Sequence, residues 1–246
     1  MRRGWTHQRH HRLSRTTTTL VGGIDSSRGG WVLITTPVVP GGRSIVQVVP
    51  DLSEIVSLLD ARWVSAVGIT IPIGLPASRP RLCDLKAREM AGPRATAIFP
   101  APLRCTLGSA SFEEASSRTK EASGKTMSRQ TFANLLRIEA VDRLMVPERQ
   151  RYLIEVHPEV SFAALVGRPM ANPKTVSQGR LERLGALSRA FPDIAEHIRQ
   201  RDRLVQPDDI LDAFVAAWSA RRFVTGNSTR LGGELDERGL RMEIIA

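Results

Sequence analysis

Between Thr18 and Val49 the chain carries three short runs of β-branched and apolar residues separated by glycine-rich turns. The first, TTLVGGID, closes on Gly-Gly-Ile-Asp and is followed by Ser-Ser-Arg-Gly-Gly. That is turn chemistry, and it predicts a strand ending at or near Asp25. Trp31–Thr36 and Ser44–Val49 read as two more strands, joined through a Pro-Gly-Gly turn at residues 40–42. Connections this short suit hairpins and not crossovers, so the three runs predict an antiparallel meander. Residues 51–60 (DLSEIVSLLD) place apolar side chains at 52, 55, 56, 58 and 59, close to helical period, with Asp51 or Ser53 as the cap. Val64–Ile71 then returns to strand and stops at Pro72.

From Pro76 to about Arg149 the pattern becomes helical pieces separated by loops, the character of an insertion: PRLCDLKAREMAG, the FPAPLR loop, SFEEASSRTKEAS and SRQTFANLLRIEAVDRLM. In the last of these, Phe132, Leu135, Leu136, Ile138 and Leu144 are expected to pack, with Arg129, Gln130 and Arg137 toward solvent. Tyr152–Val156 is a further short strand. Pro158 opens a helix that Gly167 closes. Helices follow at about Gln178–Ala190 and Pro192–Gln200, then PDDILDAFVAAWSARR, whose Ile210, Leu211, Phe214, Val215 and Trp218 form one apolar stripe. The order predicts an α/β fold, a mixed five-stranded sheet with flanking helices, and it matches the ribonuclease-H-like arrangement. Residues 19–246 are expected to form one such domain, with the helical insertion at about 76–149, and residues 1–18 a disordered basic tail.

Formal charge is +10, but five Arg and no acid stand in the first twenty residues, so about half of the excess belongs to the tail. A polyanionic partner, nucleic acid included, is compatible with this balance and is not identified by it. The tail has the acid-poor, Arg-rich composition of a transit peptide, yet it shows no apolar face. No run is long enough to span a bilayer and no secretory segment is evident, which leads to the expectation of a cytoplasmic protein without a membrane partner. Only four of the 35 basic residues are Lys, a skew expected of Arg-biased codons and a bacterial source. Cys83 and Cys105 lack the spacing of a zinc site or a disulfide framework and read as reduced thiols.

Five acids are candidates for carrying chemistry. Asp25 ends the first strand beside glycines, and it reads either as a catalytic acid or as a turn former. Glu155 interrupts an apolar strand, which is costly unless the carboxylate is paired, metal-bound or turned to solvent. Asp208 and Asp209 follow Pro207, where acids complement a helix dipole. Asp212 lies deeper in the helix and is less simply explained. Carboxylates converging from strands and a helix can hold Mg²⁺ or Mn²⁺ for phosphodiester cleavage. His157 is a general base, a carboxylate-orienting group or a local cap, and orientation is the preferred role.

The strings GIDSSRGGWV, VGITIPIGLP, RLCDLKAREMAGPRATAIFPAPLR, IEVHPEVSFAAL and DDILDAFVAAWSA, in this order, resemble the family catalogued as domain of unknown function 429 from about Leu20 onward. The resemblance implies a metal-dependent nuclease of ribonuclease-H-like fold with Mg or Mn as cofactor. Its catalytic acids would be Asp25, Glu155, Asp209 and Asp212, with Asp25, Glu155 and Asp212 on the metal. Arg28, Arg81, Arg88 and His157 would contact substrate, and Asp84 and the FPAPLR loop also match family motifs. The chain departs from the pattern at Thr70, where the family resembles Ile-Asp-Ile-Pro and this chain reads Ile-Thr-Ile-Pro. Two alternatives remain: a catalytically impaired relative that binds nucleic acid or a nucleotide, and an actin-like phosphotransferase using Asp25, Ser26, Ser27 and Gly29. Against the latter, no second phosphate loop or duplicated domain is visible. The Lys of a nucleotide-hydrolase loop is also missing from GGIDSSRGG.

Overall fold

The computed structural model describes residues 19–246. The expected tail, 1–18, lies outside the described residues. β1 (Leu20–Ser27) and β2 (Gly30–Pro37) form an antiparallel hairpin with Asp25 opposite Val32, and β3 (Ile45–Val49) extends it antiparallel to β2. α1 (Leu52–Asp60) starts where the Asp51 carboxylate accepts the Ser53 N–H, and it crosses to β4 (Val67–Ile69), which runs parallel to β1. Between β4 and the parallel β5 (Leu153–Glu155) come α2 (Leu82–Ala91), α3 (Phe112–Ser123), α4 (Arg129–Ala133) and α5 (Leu135–Leu144). After β5 follow α6 (Pro158–Val166), α7 (Ser177–Ser188), α8 (Ile194–Gln200), α9 (Pro207–Val224) and a hairpin of β6 (Arg230–Leu235) and β7 (Arg241–Ile245). The main sheet has the order β3-β2-β1-β4-β5. It is the mixed five-stranded α/β sheet with flanking helices expected from the sequence. Among the described residues no helix is long and apolar enough to cross a membrane.

Strand side chains alternate between faces, and both faces of this sheet are covered. Leu33 joins Ile24 and Ile69 against Ile55 and Leu59 of α1 and Ile138 and Val141 of α5. Its neighbours Val32 and Ile34 face the other way, toward Phe162 of α6, Leu187 of α7, and Phe214 of α9. Helix α9 is buried nearly all round, and not only along the single apolar stripe that its sequence predicts. The alanines between the larger residues are the reason. Ala213 and Ala217 press so closely on β1 that a Cβ at Gly23 would lie 2.0 Å from the Ala213 carbonyl oxygen and 2.3 Å from the Ala217 nitrogen. On β4 a Cβ at Gly68 would lie 2.5 Å from the Ala216 oxygen.

Three other expectations change. The long helix after Ser128 is interrupted at Asn134, which ends α4 and starts α5, and Leu136 is 79% exposed instead of packed. β4 is a regular strand over three residues only, although the Ser65 and Thr70 N–H groups continue its bonding to β1, at Leu20 and Ile24, on either side. The β6–β7 hairpin has no counterpart in the sequence pattern. Its first strand is exposed and polar, and a register shift between Gly232 and Glu234 breaks the period-two alternation by which a strand is recognised. The hairpin nevertheless packs, with Met242 and Ile244 against Cys83 and Ala87 of α2 and Val160 of α6.

Because the Gly23 contact is with helix backbone, it has no flexible partner that can yield. Gly23→Ala is expected to lower the free energy of unfolding by about 3 kcal/mol or more, read from urea denaturation. An unchanged midpoint would mean that α9 does not sit this close to β1.

Candidate active site

A cleft of about 330 Å³ opens at the end of β1 and β4, and Asp25, Thr70, His157, Glu159, Lys174, Asp209 and Asp212 line it. Asp25 arrives on β1, two residues beyond Gly23, and therefore on the sheet face that α9 covers. Thr70, just past β4, donates its hydroxyl to Asp25 Oδ1. Asp212 comes from the second turn of α9 and is 2% exposed. Lys174 Nζ donates to its Oδ2 at 2.5 Å, while Asp212 Oδ1 is shut off from solvent and has no hydrogen-bond partner. Asp208 Oδ1 is in the same condition. Asp209, although on the cleft wall, also caps a helix, since its Oδ2 accepts the Gln206 N–H at 2.8 Å and closes the N-terminus of α9.

Lys174 has no signature in the sequence, and its position is built by contacts from α7. Glu182 accepts the N–H groups of Ala171 and Asn172, at 2.9 and 3.0 Å. Arg183 donates to the Asn172 carbonyl at 3.0 Å and, buried, to Glu159 Oε1 at 2.7 Å. Gly179 of the same helix leaves room for the Pro173 carbonyl, which a Cβ would meet at 1.9 Å. These contacts hold the loop 171–174 and deliver its lysine to Asp212.

The sequence-derived set divides on the structure. Asp25, Asp209, Asp212 and His157 come together in the cleft. Glu155 does not line it. Both Glu155 oxygens accept from Arg81, at 2.7 Å each, and Oε2 also accepts the Ile73 N–H at 2.7 Å. Its expected place on a metal is thus taken by a guanidinium. Arg81 is itself buried rather than presented to substrate, and it holds Asp84, Glu155 and the carbonyls of Ile73 and Gly74. Arg88 donates to the Ile98 carbonyl at 2.7 Å, a loop-fixing contact. Arg28 is exposed in the β1–β2 turn, outside the cleft lining. Cys83 and Cys105 are free thiols, as expected.

Charge is concentrated here on groups largely withdrawn from solvent. Burial, and then the neighbouring Asp212, push the Asp25 carboxyl up to about 8, although Lys174 and Thr70 pull the other way. Burial holds His157 down at about 4, so its ring is neutral at physiological pH, and its Nδ1 is enclosed without a partner. The Asp212 carboxylate raises Lys174 well above an ordinary amine, outweighing its burial. Among the described residues no three His, Cys, Asp or Glu side chains form a ready metal cage. Two carboxylates, Asp25 and Asp212, remain as donors. Magnesium commonly takes one or two carboxylates from a protein and completes its shell with water and substrate phosphate. The unpartnered Oδ1 of Asp212 is a hard oxygen donor that fits such an ion.

A family model described as "Protein of unknown function (DUF429)" matches residues 23–237, and the chain belongs to that family. No curated protein and no solved structure matches the chain.

Asp25 titrates near 3.8 when unfolded and near 8 when folded. The folded chain therefore binds the extra proton across that window, and stability falls as pH rises through it. His157 acts in the opposite sense between about 4 and 6.5, because there the unfolded chain binds the extra proton. Glu155, set at about 6 chiefly by burial, has titrated by then. Above pH 6.5 the Asp25 contribution stands alone among these three. The thermal midpoint of the metal-free protein is expected to decline from pH 6.5 to 8, and Asp25→Asn to remove the decline and sit a few degrees higher at pH 8. Parallel curves for the two proteins would show that Asp25 is not an enclosed acid.

Proposed function

We propose that this chain is a divalent-cation-dependent phosphodiester hydrolase of ribonuclease-H-like architecture acting on nucleic acid, with Mg²⁺ or Mn²⁺ as its ion. The observation that carries this reading is the meeting of Asp25 from β1 with Asp212 from α9 in one cleft, with one Asp212 oxygen enclosed and unpartnered. The sheet order, with its antiparallel β3-β2-β1 half and parallel β4 and β5, agrees with that architecture.

Asp25 and Asp212 would hold the cation, which when bound supplies positive charge to the reacting phosphate. Lys174 adds a second positive charge beside them, and an incoming phosphate can share it with Asp212. His157, set at about 4, is too weak a base to remove a proton from water efficiently at neutral pH. A neutral ring lining the cleft instead suits hydrogen bonding to neighbouring groups. Asp209 supports the site indirectly by fixing the start of α9.

The deciding experiment is cleavage of labelled DNA, RNA, hybrid and branched substrates with Mg²⁺ or Mn²⁺, comparing the native chain with Asp25→Ala purified identically. Metal-dependent cutting that drops about a hundredfold or more in the variant is expected; equal behaviour of the two proteins would overturn the assignment. One observation favours a second reading, because Lys174 already neutralises Asp212, as suits a module that binds a nucleotide without cutting it. That module would bind the same substrates and cut none of them.

Position 70 offers an independent handle, since its side chain touches Asp25. Thr70→Asp is expected to tighten Mn²⁺ about tenfold by calorimetry, because it adds a hard anionic ligand. Unchanged affinity would remove Thr70 from the ion's surroundings.

A further inference from the structure

Beside the acidic cleft lies a second cavity of about 420 Å³, within the range of small-molecule sites. The two spaces share a wall, the Phe99–Pro102 segment together with Thr131. This partition is held from beneath. The Ala101 N–H donates to buried Asp84 at 3.1 Å, and Arg88 grips the Ile98 carbonyl at 2.7 Å. Two prolines, Pro100 and Pro102, restrict its backbone further. On this stiff wall Phe99 stands 46% exposed. The exposed cations Arg79 and Lys125 line the same cavity, together with Thr119 and Ser128.

We infer that this second cavity is a nucleoside subsite, in which a base stacks on Phe99 while Arg79 and Lys125 face the phosphate attached to it. The inference rests on the reading that a phosphate occupies the acidic cleft, and it extends that reading to the substrate. A plain anion would make no use of an exposed ring, and an apolar ligand would make no use of two cations. A nucleotide uses both, because every base presents a π-face and every phosphate a charge. Continuity with the cleft sets the order along the strand: the base lies over the Phe99 wall with its own phosphate at Arg79 and Lys125, and the neighbouring phosphate of the strand lies at Asp25 and Asp212. A base inside a duplex is already stacked and paired, so the subsite selects unpaired nucleic acid, single-stranded or splayed at a junction.

The experiment uses the full chain carrying Asp25→Asn, without divalent cation, so that binding is read apart from cutting. Adenosine monophosphate and thymidine monophosphate are titrated by NMR, with inorganic phosphate as the control. Both nucleotides are expected to bind about tenfold or more tightly than phosphate. Adding Phe99→Ala should weaken them about tenfold, the scale of one lost base–aromatic stack. Phe99→Trp should retain binding and report it by indole quenching, and Lys125→Ala should weaken it severalfold. Phe99 is half exposed, so these changes leave the core intact. Phosphate binding as tightly as nucleotide, or nucleotide binding indifferent to Phe99→Ala, would overturn the subsite. Nucleotide binding through Phe99, together with no metal-dependent cutting by the native chain, would instead overturn the hydrolase reading and leave the subsite standing.

Discussion

The contact on which the site depends is the packing of α9 directly on the backbone of β1 and β4. Gly23 and Gly68 on the strands, and Ala213, Ala216 and Ala217 on the helix, remove the side chains that would hold the two layers apart. Dispersion between close-packed atoms stabilises such a contact, and it tolerates almost no added volume. Its consequence is chemical. Asp25 lies two residues after Gly23 on the same strand face, and Asp212 immediately precedes Ala213. Bringing the backbones together brings these carboxylates into one cleft.

Buried carboxylates in this protein fall into two kinds, distinguished by their partners. Glu155 and Glu159 are paired with buried arginines, Arg81 and Arg183. Such pairs are costly to desolvate and contribute little net stability, but their guanidiniums also grip backbone carbonyls and thereby position loops. Arg81 ties together the segment after β4, the start of α2 and the end of β5, and through Asp84 the wall of both cavities. Arg183 holds the loop that carries Lys174. Asp25 and Asp212 are the other kind, since the pair has no arginine and only one lysine shared with the cleft. Burial, and then the Asp212 carboxylate beside it, are why Asp25 retains its proton so far above its ordinary range.

Short-range physics is written plainly in the residues. β-branched runs cut by Gly-Gly and Pro-Gly-Gly, the Asp51 cap of α1, Pro158 and Gly167 around α6, and the acids after Pro207 each act within a few positions, and the structure has all of these elements where the residues imply them. Asp25, Asp209, Asp212 and His157 were legible for the same reason, as polar groups at strand or helix ends that local structure only partly explains. Long-range contacts decided the rest. Whether Glu155 met a cation from solvent or the guanidinium of Arg81 depended on where α2 docked. Nothing within a few residues of Lys174 marks it, because its partner Asp212 lies 38 residues further along the chain, on α9. The β6–β7 hairpin is stabilised by α2 and α6 rather than by its own pattern. Local sequence determined the elements and the candidate acids of this protein; tertiary structure alone decided which acids were neutralised by arginine and which were left together in a cleft, because that outcome depends on packing between segments remote in the chain.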